Sequence, residues 1–221
     1  MTKLKYCPNC GSKIKKLKVD FCPFCGEQVG KKLEETHIVM ILDRSGSMSS
    51  IKESTIASFN NFIQEQRKLP YPATVSLYQF DDRFETVYEN MDLKEVPFLN
   101  DDTYQPRAST ALYDAIGKTI SRLEKGKRVL ISIITDGQEN ASREYNDSQI
   151  HNMITDYREK YNWQFAFLGV GIDAYKASSK IGIGKAQTMR VSHNAEQVAV
   201  GISMFSGGAT SYRKGKGEFT Y

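Results

Sequence analysis

The sequence predicts an α/β protein: a doubly wound, mostly parallel sheet flanked by helices and preceded by a small cysteine-bearing module. Three observations carry that reading. Across residues 37–205, short apolar stretches of strand length alternate with longer stretches of helical spacing. The strand stretches are apolar at consecutive positions, as strands covered on both faces are. All four cysteines of the 221 residues fall within the first 25.

The cysteines are Cys7, Cys10, Cys22 and Cys25, in the runs Cys-Pro-Asn-Cys-Gly and Cys-Pro-Phe-Cys-Gly. Each Cys-x-x-Cys turn aims two sulfurs at one point, and two turns complete the four ligands of a tetrahedral zinc site. Gly11 and Gly26 suit positions that need positive φ, and Pro8 and Pro23 stiffen the turns. The eleven residues between the pairs are enough for a small hairpin through residues 14–19. A pair of redox-active dithiols is the competing reading, but such motifs normally come singly beside a β-α-β pattern. Structural Zn2+ in a ribbon over residues 1–30 is the expectation. Residues 31–36, Lys-Lys-Leu-Glu-Glu-Thr, read as a linker.

The elements then follow in order. Residues 37–42 form a buried-type strand. Ile51, Ile56, Phe59, Phe62 and Ile63 give residues 51–68 a helical spacing, which Pro70 stops. Residues 74–80 and 84–88 are strands joined by the tight turn Asp81-Asp82-Arg83. Residues 111–123 are helical, and 128–135 form a strand rich in Val, Ile and Leu. A helix over 147–161, a strand over 163–169 and a short helix over 174–181 come next. Residues 187–191 make a weak edge strand, and 195–205 the last helix. Residues 207–221 form a C-terminal tail, whose stretch 213–221, basic and glycine-containing, is expected to be mobile.

The composition narrows the function. Hydrophobic residues are 40% and charged residues 25% of the chain, which excludes collagen, low-complexity disorder and a disulfide-dense scaffold. The apolar runs at 38–42 and 129–131 are far short of the ~20 residues a membrane helix needs, and no apolar stretch marks a secretory signal near Met1. A cytoplasmic protein without a membrane partner is expected. Residues 1–36 hold eight Lys and four Asp or Glu, while residues 37–221 hold 22 basic and 22 acidic side chains. The whole net charge of +4 therefore belongs to the ribbon and linker, and a zinc–tetrathiolate centre of formal charge −2 would halve it. The large part has no global field to steer a polyanion.

Ligands of such sheets bind outside the carboxyl ends of the strands. Past the first strand stands Asp43-Arg44-Ser45-Gly46-Ser47-Met48, and past residue 134 stands Thr135-Asp136-Gly137. Ser109-Thr110 opens the helix between them. These loops bring carboxylate and hydroxyl oxygens together without His or Cys. Hard oxygen donors select Mg2+, Mn2+ or Ca2+. Singly, Ser45, Ser47 and Thr110 could be helix caps and Asp136 a turn residue. Five such residues at matching strand ends point to a site. His37, His151 and His193 are far from these loops in sequence and are expected at the surface or at strand edges.

The constellation resembles the metal-ion-dependent adhesion site of the von Willebrand factor A-type (VWA) domain family, a Rossmann-like fold. The likeness covers residues 37–206 and includes the order of elements. Asp43, Ser45 and Ser47 match the family's Asp-x-Ser-x-Ser motif, Thr110 its single Thr, and Asp136 its final Asp. One departure is Ala108-Ser109, where many relatives have Gly. The resemblance implies that Ser45, Ser47 and Thr110 touch the ion through hydroxyls, with Asp43 and Asp136 acting directly or through water. Two carboxylates and three neutral hydroxyls leave such an ion open to a carboxylate from another protein. The likeness is to small intracellular bacterial and phage VWA proteins, among which a Cys-rich ribbon beside the domain occurs.

The sequence thus reads as a protein-interaction module that binds a partner's acidic residue through Mg2+ or another divalent cation, and not as an enzyme. Two alternatives stand beside it. A haloacid-dehalogenase-like Mg2+-dependent phosphatase would use Asp43 as nucleophile, but its acid/base Asp two residues on is Ser45 here. Alternatively, Lys13, Lys15, Lys16 and Lys18 of the ribbon dock nucleic acid, with the VWA domain as an assembly scaffold. Asp114 lies outside the matched set and is expected to have no part in the site.

Overall fold

β1 (Thr36–Asp43) is buried along its whole length at the centre of a six-stranded sheet. The computed structural model describes residues 6–7, 9–13, 21–26, 34–215 and 217–221. The hairpin expected at 14–19, Lys15, Lys16, Lys18 and residues 31–33 of the linker lie outside the described residues. After β1 come a 3-10 turn (Gly46–Ile51) and α1 (Lys52–Arg67), then β2 (Ala73–Phe80) and β3 (Phe84–Asp92). α2 (Leu112–Arg122), β4 (Arg128–Thr135), α3 (Asp147–Tyr161) and β5 (Gln164–Val170) follow. α4 (Ala174–Lys180), β6 (Thr188–Val191) and α5 (Ala195–Arg213) complete the fold.

The strand order is β3-β2-β1-β4-β5-β6, parallel throughout except for β3, which pairs antiparallel with β2. Side chains of a strand alternate between faces, and β1 shows the consequence. Ile38, Met40 and Leu42 join one core with Phe59, Phe62 and Ile63 of α1 and Ile202 and Phe205 of α5. Val39 and Ile41 join a second core with Ile116 and Ile120 of α2, Ile150 and Ile154 of α3, and Ala174 of α4. The connections leaving β1 and β4 therefore go to opposite faces, which opens a crevice between the ends of these two neighbouring strands.

Most elements form where the spacing places them, with three differences. β3 runs to Asp92 rather than stopping at residue 88; its side chains are mostly exposed, so no apolar periodicity marks its length. α5 continues through Ser-Gly-Gly-Ala-Thr-Ser to Arg213, eight residues past the expected end. The tail folds back: Phe219 is fully buried against Phe205, and its N–H donates to Gln164 Oε1 over 3.0 Å. Tyr221 N–H donates to the carbonyl of Ala186. Between β3 and α2, an irregular segment inserts Leu93, Val96, Leu99 and Tyr104 into the α1 face of the core. Asn60 of α1 clamps it by exchanging two hydrogen bonds with the backbone of Leu99.

Candidate functional site

The crevice between β1 and β4 is built outward from Asp43, the last residue of β1. Its carboxylate is fully buried. Oδ1 accepts the Ser45 N–H over 2.6 Å and Oδ2 accepts the Thr135 hydroxyl over 2.5 Å. The backbone carbonyl of Asp43 accepts the Tyr104 hydroxyl over 2.6 Å. Burial, with the charge of Asp136 adding to it, pushes the Asp43 carboxyl up to about 6. A buried acid raised in this way favours a compensating positive charge.

The Asp43 turn passes its serines to Asp136. Ser45 Oγ and Ser47 Oγ are 3.2 Å apart, and Ser47 Oγ donates to Asp136 Oδ1 over 2.7 Å. Thr110 comes from the loop just before α2. Its N–H donates to Asn140 Oδ1, and its carbonyl accepts the N–H groups of Asn140 and Ala141. The hydroxyl stands against Gly137, where a Cβ would lie 2.5 Å from Thr110 Oγ1. Only glycine leaves that hydroxyl room beside Asp136. Asp43, Ser45, Ser47, Thr110 and Asp136 thus lie in one crevice, and all but Ser47 are buried.

Two fastenings hold the loops in place. Arg107 N–H donates to the Arg44 carbonyl and Gly46 N–H to the Ala108 carbonyl, so the 107–111 loop lies across the Asp43 turn. The guanidinium groups of Arg44 and Arg107 both pair with Asp81 and Glu85. Ala108, where many relatives in the resemblance carry Gly, takes φ +56°. A left-handed conformation costs a side-chain-bearing residue roughly 1–2 kcal/mol, so the departure in sequence is met by strain. The second fastening is Asp114. Its carboxylate accepts the N–H groups of Arg143, Glu144 and Tyr145, each over 2.9 Å. Asp114 was expected to stand apart, yet it anchors the loop that follows Asp136. Glu139 does similar work, accepting from Tyr113, Ala141 and Ser142.

His193 is exposed beside the edge strand β6, as expected, but it is not remote from the site: its Nε2 lies 2.7 Å from Asp136 Oδ2. It stands just beyond the carboxyl end of β6, the position that the strand-end rule would have flagged. Neither motif spacing nor proximity in sequence pointed there. His37, by contrast, is no surface residue: it is buried on β1, with Nε2 2.8 Å from Ser76 Oγ.

At the N-terminus, Cys7 Sγ lies 3.6 Å from Cys25 Sγ, Cys10 Sγ lies 3.6 Å from Cys22 Sγ, and all four sulfurs fall within 4.8 Å of one another. A disulfide would need about 2.05 Å. A tetrahedron with metal–sulfur bonds of ~2.3 Å has edges of about 3.8 Å, which this cluster fits. Gly11 and Gly26 have φ +69° and +75° and donate their N–H groups to the carbonyls of Cys7 and Cys22, closing the two turns. Hydrogen bonding with the Ser12 side chain and backbone brings the Cys10 thiol down to about 6, toward the thiolate that a metal takes.

No protein-family model matches the chain, and no curated protein matches it in sequence. Solved structures do. The chain is similar to the ArnB paralog VWA2 from Sulfolobus acidocaldarius, with a TM-score of 0.58 and 20% identity over 80% of this chain and 47% of that one. It is also similar to proximal thread matrix protein 1 from the mussel byssus, with a TM-score of 0.57 and 15% identity over 77% of this chain and 44% of that one. The chain spans just under half the length of these structures. Among the described residues no helix is long and apolar enough to cross a membrane. The chain has a von Willebrand factor A-like fold, preceded by a four-cysteine cluster consistent with a zinc site.

Proposed function

We propose that this chain is a protein-interaction module that holds a divalent cation with Asp43, Ser45, Ser47, Thr110 and Asp136 and uses it to bind an acidic residue of a partner protein. The observation that carries the reading is the crevice itself: two carboxylates, both with fully buried side chains, meet three hydroxyls at the ends of β1 and β4. These are hard oxygen donors, suited to Mg2+, Mn2+ or Ca2+. Two negative charges leave the ion able to attract a third carboxylate. In the N-terminal cluster, Cys7, Cys10, Cys22 and Cys25 would hold a structural Zn2+.

The connectivity supports binding rather than catalysis. A Ser-His-Asp nucleophile needs the imidazole between hydroxyl and carboxylate. Here the carboxylate of Asp136 stands between Ser47 and His193, so the imidazole does not reach the serine. A phosphatase built on Asp43 would need a proton donor two residues on, and Ser45 is a poor one.

The test is Asp43→Asn. Its amide oxygen can still accept the Ser45 N–H, and its NH2 can donate to Thr135, so the fold keeps its hydrogen bonds while the site loses a charge. With Mg2+ added, wild type should gain thermal stability in proportion to RT ln(1 + [Mg2+]/Kd), and the variant should gain little. Affinity capture with wild type should retain a protein in Mg2+ and release it in chelator. An equal Mg2+ response of Asp43→Asn and wild type would count against the cation site.

A further inference from the structure

We propose that His193 is a positioning residue of the cation site, one that fixes the carboxylate of Asp136 from the side away from the serines. The proposal rests on the cation reading given above.

The two oxygens of Asp136 have separate partners. Oδ1 accepts the Ser47 hydroxyl over 2.7 Å, facing the other donors, while Oδ2 meets His193 Nε2 over 2.7 Å. The Asp136 side chain is fully buried and that of His193 one-third exposed, so the imidazole closes the crevice on its outer side. A carboxylate held only by Ser47 could rotate about its Cβ–Cγ bond and turn its charge away from an ion. A nitrogen on the second oxygen fixes the plane of the group. Ligating carboxylates are commonly held by such outer partners, whose loss costs metal affinity.

The backbone leaves a space for this ring. Gly171, at the end of β5, has φ +71°, and its N–H donates to the Val191 carbonyl. A Cβ there would lie 2.8 Å from His193 Cβ and 3.4 Å from two ring carbons. Glycine is thus required twice, for its conformation and for the approach of His193. The turn between β6 and α5 is held by Asn194, whose side chain accepts the Gln197 N–H, so His193 projects from a capped helix start.

The experiment titrates Mn2+ into wild type, His193→Ala and His193→Gln, following loss of the free-ion paramagnetic resonance signal. Glutamine can place an amide N–H where Nε2 stands. Wild type should bind Mn2+, His193→Ala should bind it about 10–100-fold more weakly, and His193→Gln should return close to wild type. Pulsed spectra of the wild-type complex should show no directly bonded nitrogen. Cation-free unfolding midpoints establish that each variant is folded. Equal Mn2+ affinity of His193→Ala and wild type, or no rescue by His193→Gln, overturns the positioning role. A directly bonded nitrogen overturns it in favour of His193 as a ligand. Failure of wild type to take up Mn2+ overturns the cation reading itself, and this proposal with it.

Discussion

His37 sits on a strand buried along its whole length, where among the described residues no carboxylate comes close enough to pair with a charged imidazole. Its partner is the neutral hydroxyl of Ser76. Burial, reinforced by the Lys127 charge, lowers its pKa from 6.5 to about 4. The group is therefore neutral in the fold and protonates more readily in the unfolded chain. For a depressed pKa, the stability is fully present above the unfolded value, near 6.5, and is lost as pH falls through the folded value, near 4. A shift of this size corresponds to roughly 3 kcal/mol. Asp43 acts in the opposite sense without a cation, because its raised carboxyl is relieved as it protonates between pH 6 and about 4. The two contributions offset in wild type, so the clean measurement is a difference. His37→Gln should lose stability relative to wild type at pH 7.5, and that deficit should shrink steadily toward pH 4 in chelator. A deficit independent of pH would show that His37 is not the group titrating.

At the scale of elements, α5 shows where sequence patterning stops being informative. Gly207 and Gly208 cost a helix interior about 1 kcal/mol each relative to Ala, and the run Ser-Gly-Gly-Ala-Thr-Ser reads as a loop. Tertiary contacts override it. Gly208 has no Cβ because the Phe219 ring and the Thr220 carbonyl would each lie 2.5 Å from it, whereas nothing approaches Gly207. The helix end is fixed by Arg213, buried and donating to the Gln66 carbonyl and Oε1 and to the Tyr71 carbonyl. Two neighbouring substitutions should therefore have opposite signs. Gly207→Ala should stabilise by about 1 kcal/mol, and Gly208→Ala should destabilise by displacing the tail. Phe219→Ala should cost about 3–5 kcal/mol. Denaturant midpoints read all three, and stabilisation by Gly208→Ala would mean that the tail does not pack there. The same contrast explains what was legible beforehand. Strands 37–42 and 128–135 and the helix over 147–161 announce themselves because one residue type repeats at one period. Asp43, Ser45, Ser47, Thr110 and Asp136 are legible because strand ends converge. The docking of Phe219 and the reach of Asp114 to residues 143–145 join residues far apart in sequence, so local pattern carries no sign of them, whereas His193 lies just past a strand end where the same convergence could have pointed to it.

Across the whole molecule, the cysteine cluster and the sheet draw their stability from different sources. The two apolar cores of the sheet include no cysteine, and a region of about 185 residues buries enough surface to fold alone. The cluster instead offers two short turns whose described residues bury little besides Cys7 and Cys22. A segment this small normally depends on its metal, and apparent zinc free energies of ~10–16 kcal/mol are enough to fold one. Among the described residues, one ring contact between the two parts is the edge of Phe21 against Tyr71, with centroids 5.3 Å apart, which is small beside either core. Anaerobically purified protein should therefore carry one Zn2+ per chain, and Cys7→Ser or Cys25→Ser should lose it. Removing the metal with a strong chelator should free four thiols to a thiol reagent while the far-ultraviolet helical signal and the main unfolding transition persist. If the protein instead contains Cys–Cys disulfides and no zinc, the metal assignment fails. Should the main transition collapse with the metal, the sheet depends on the cluster, and the Phe21–Tyr71 contact is part of a larger interface than these residues describe.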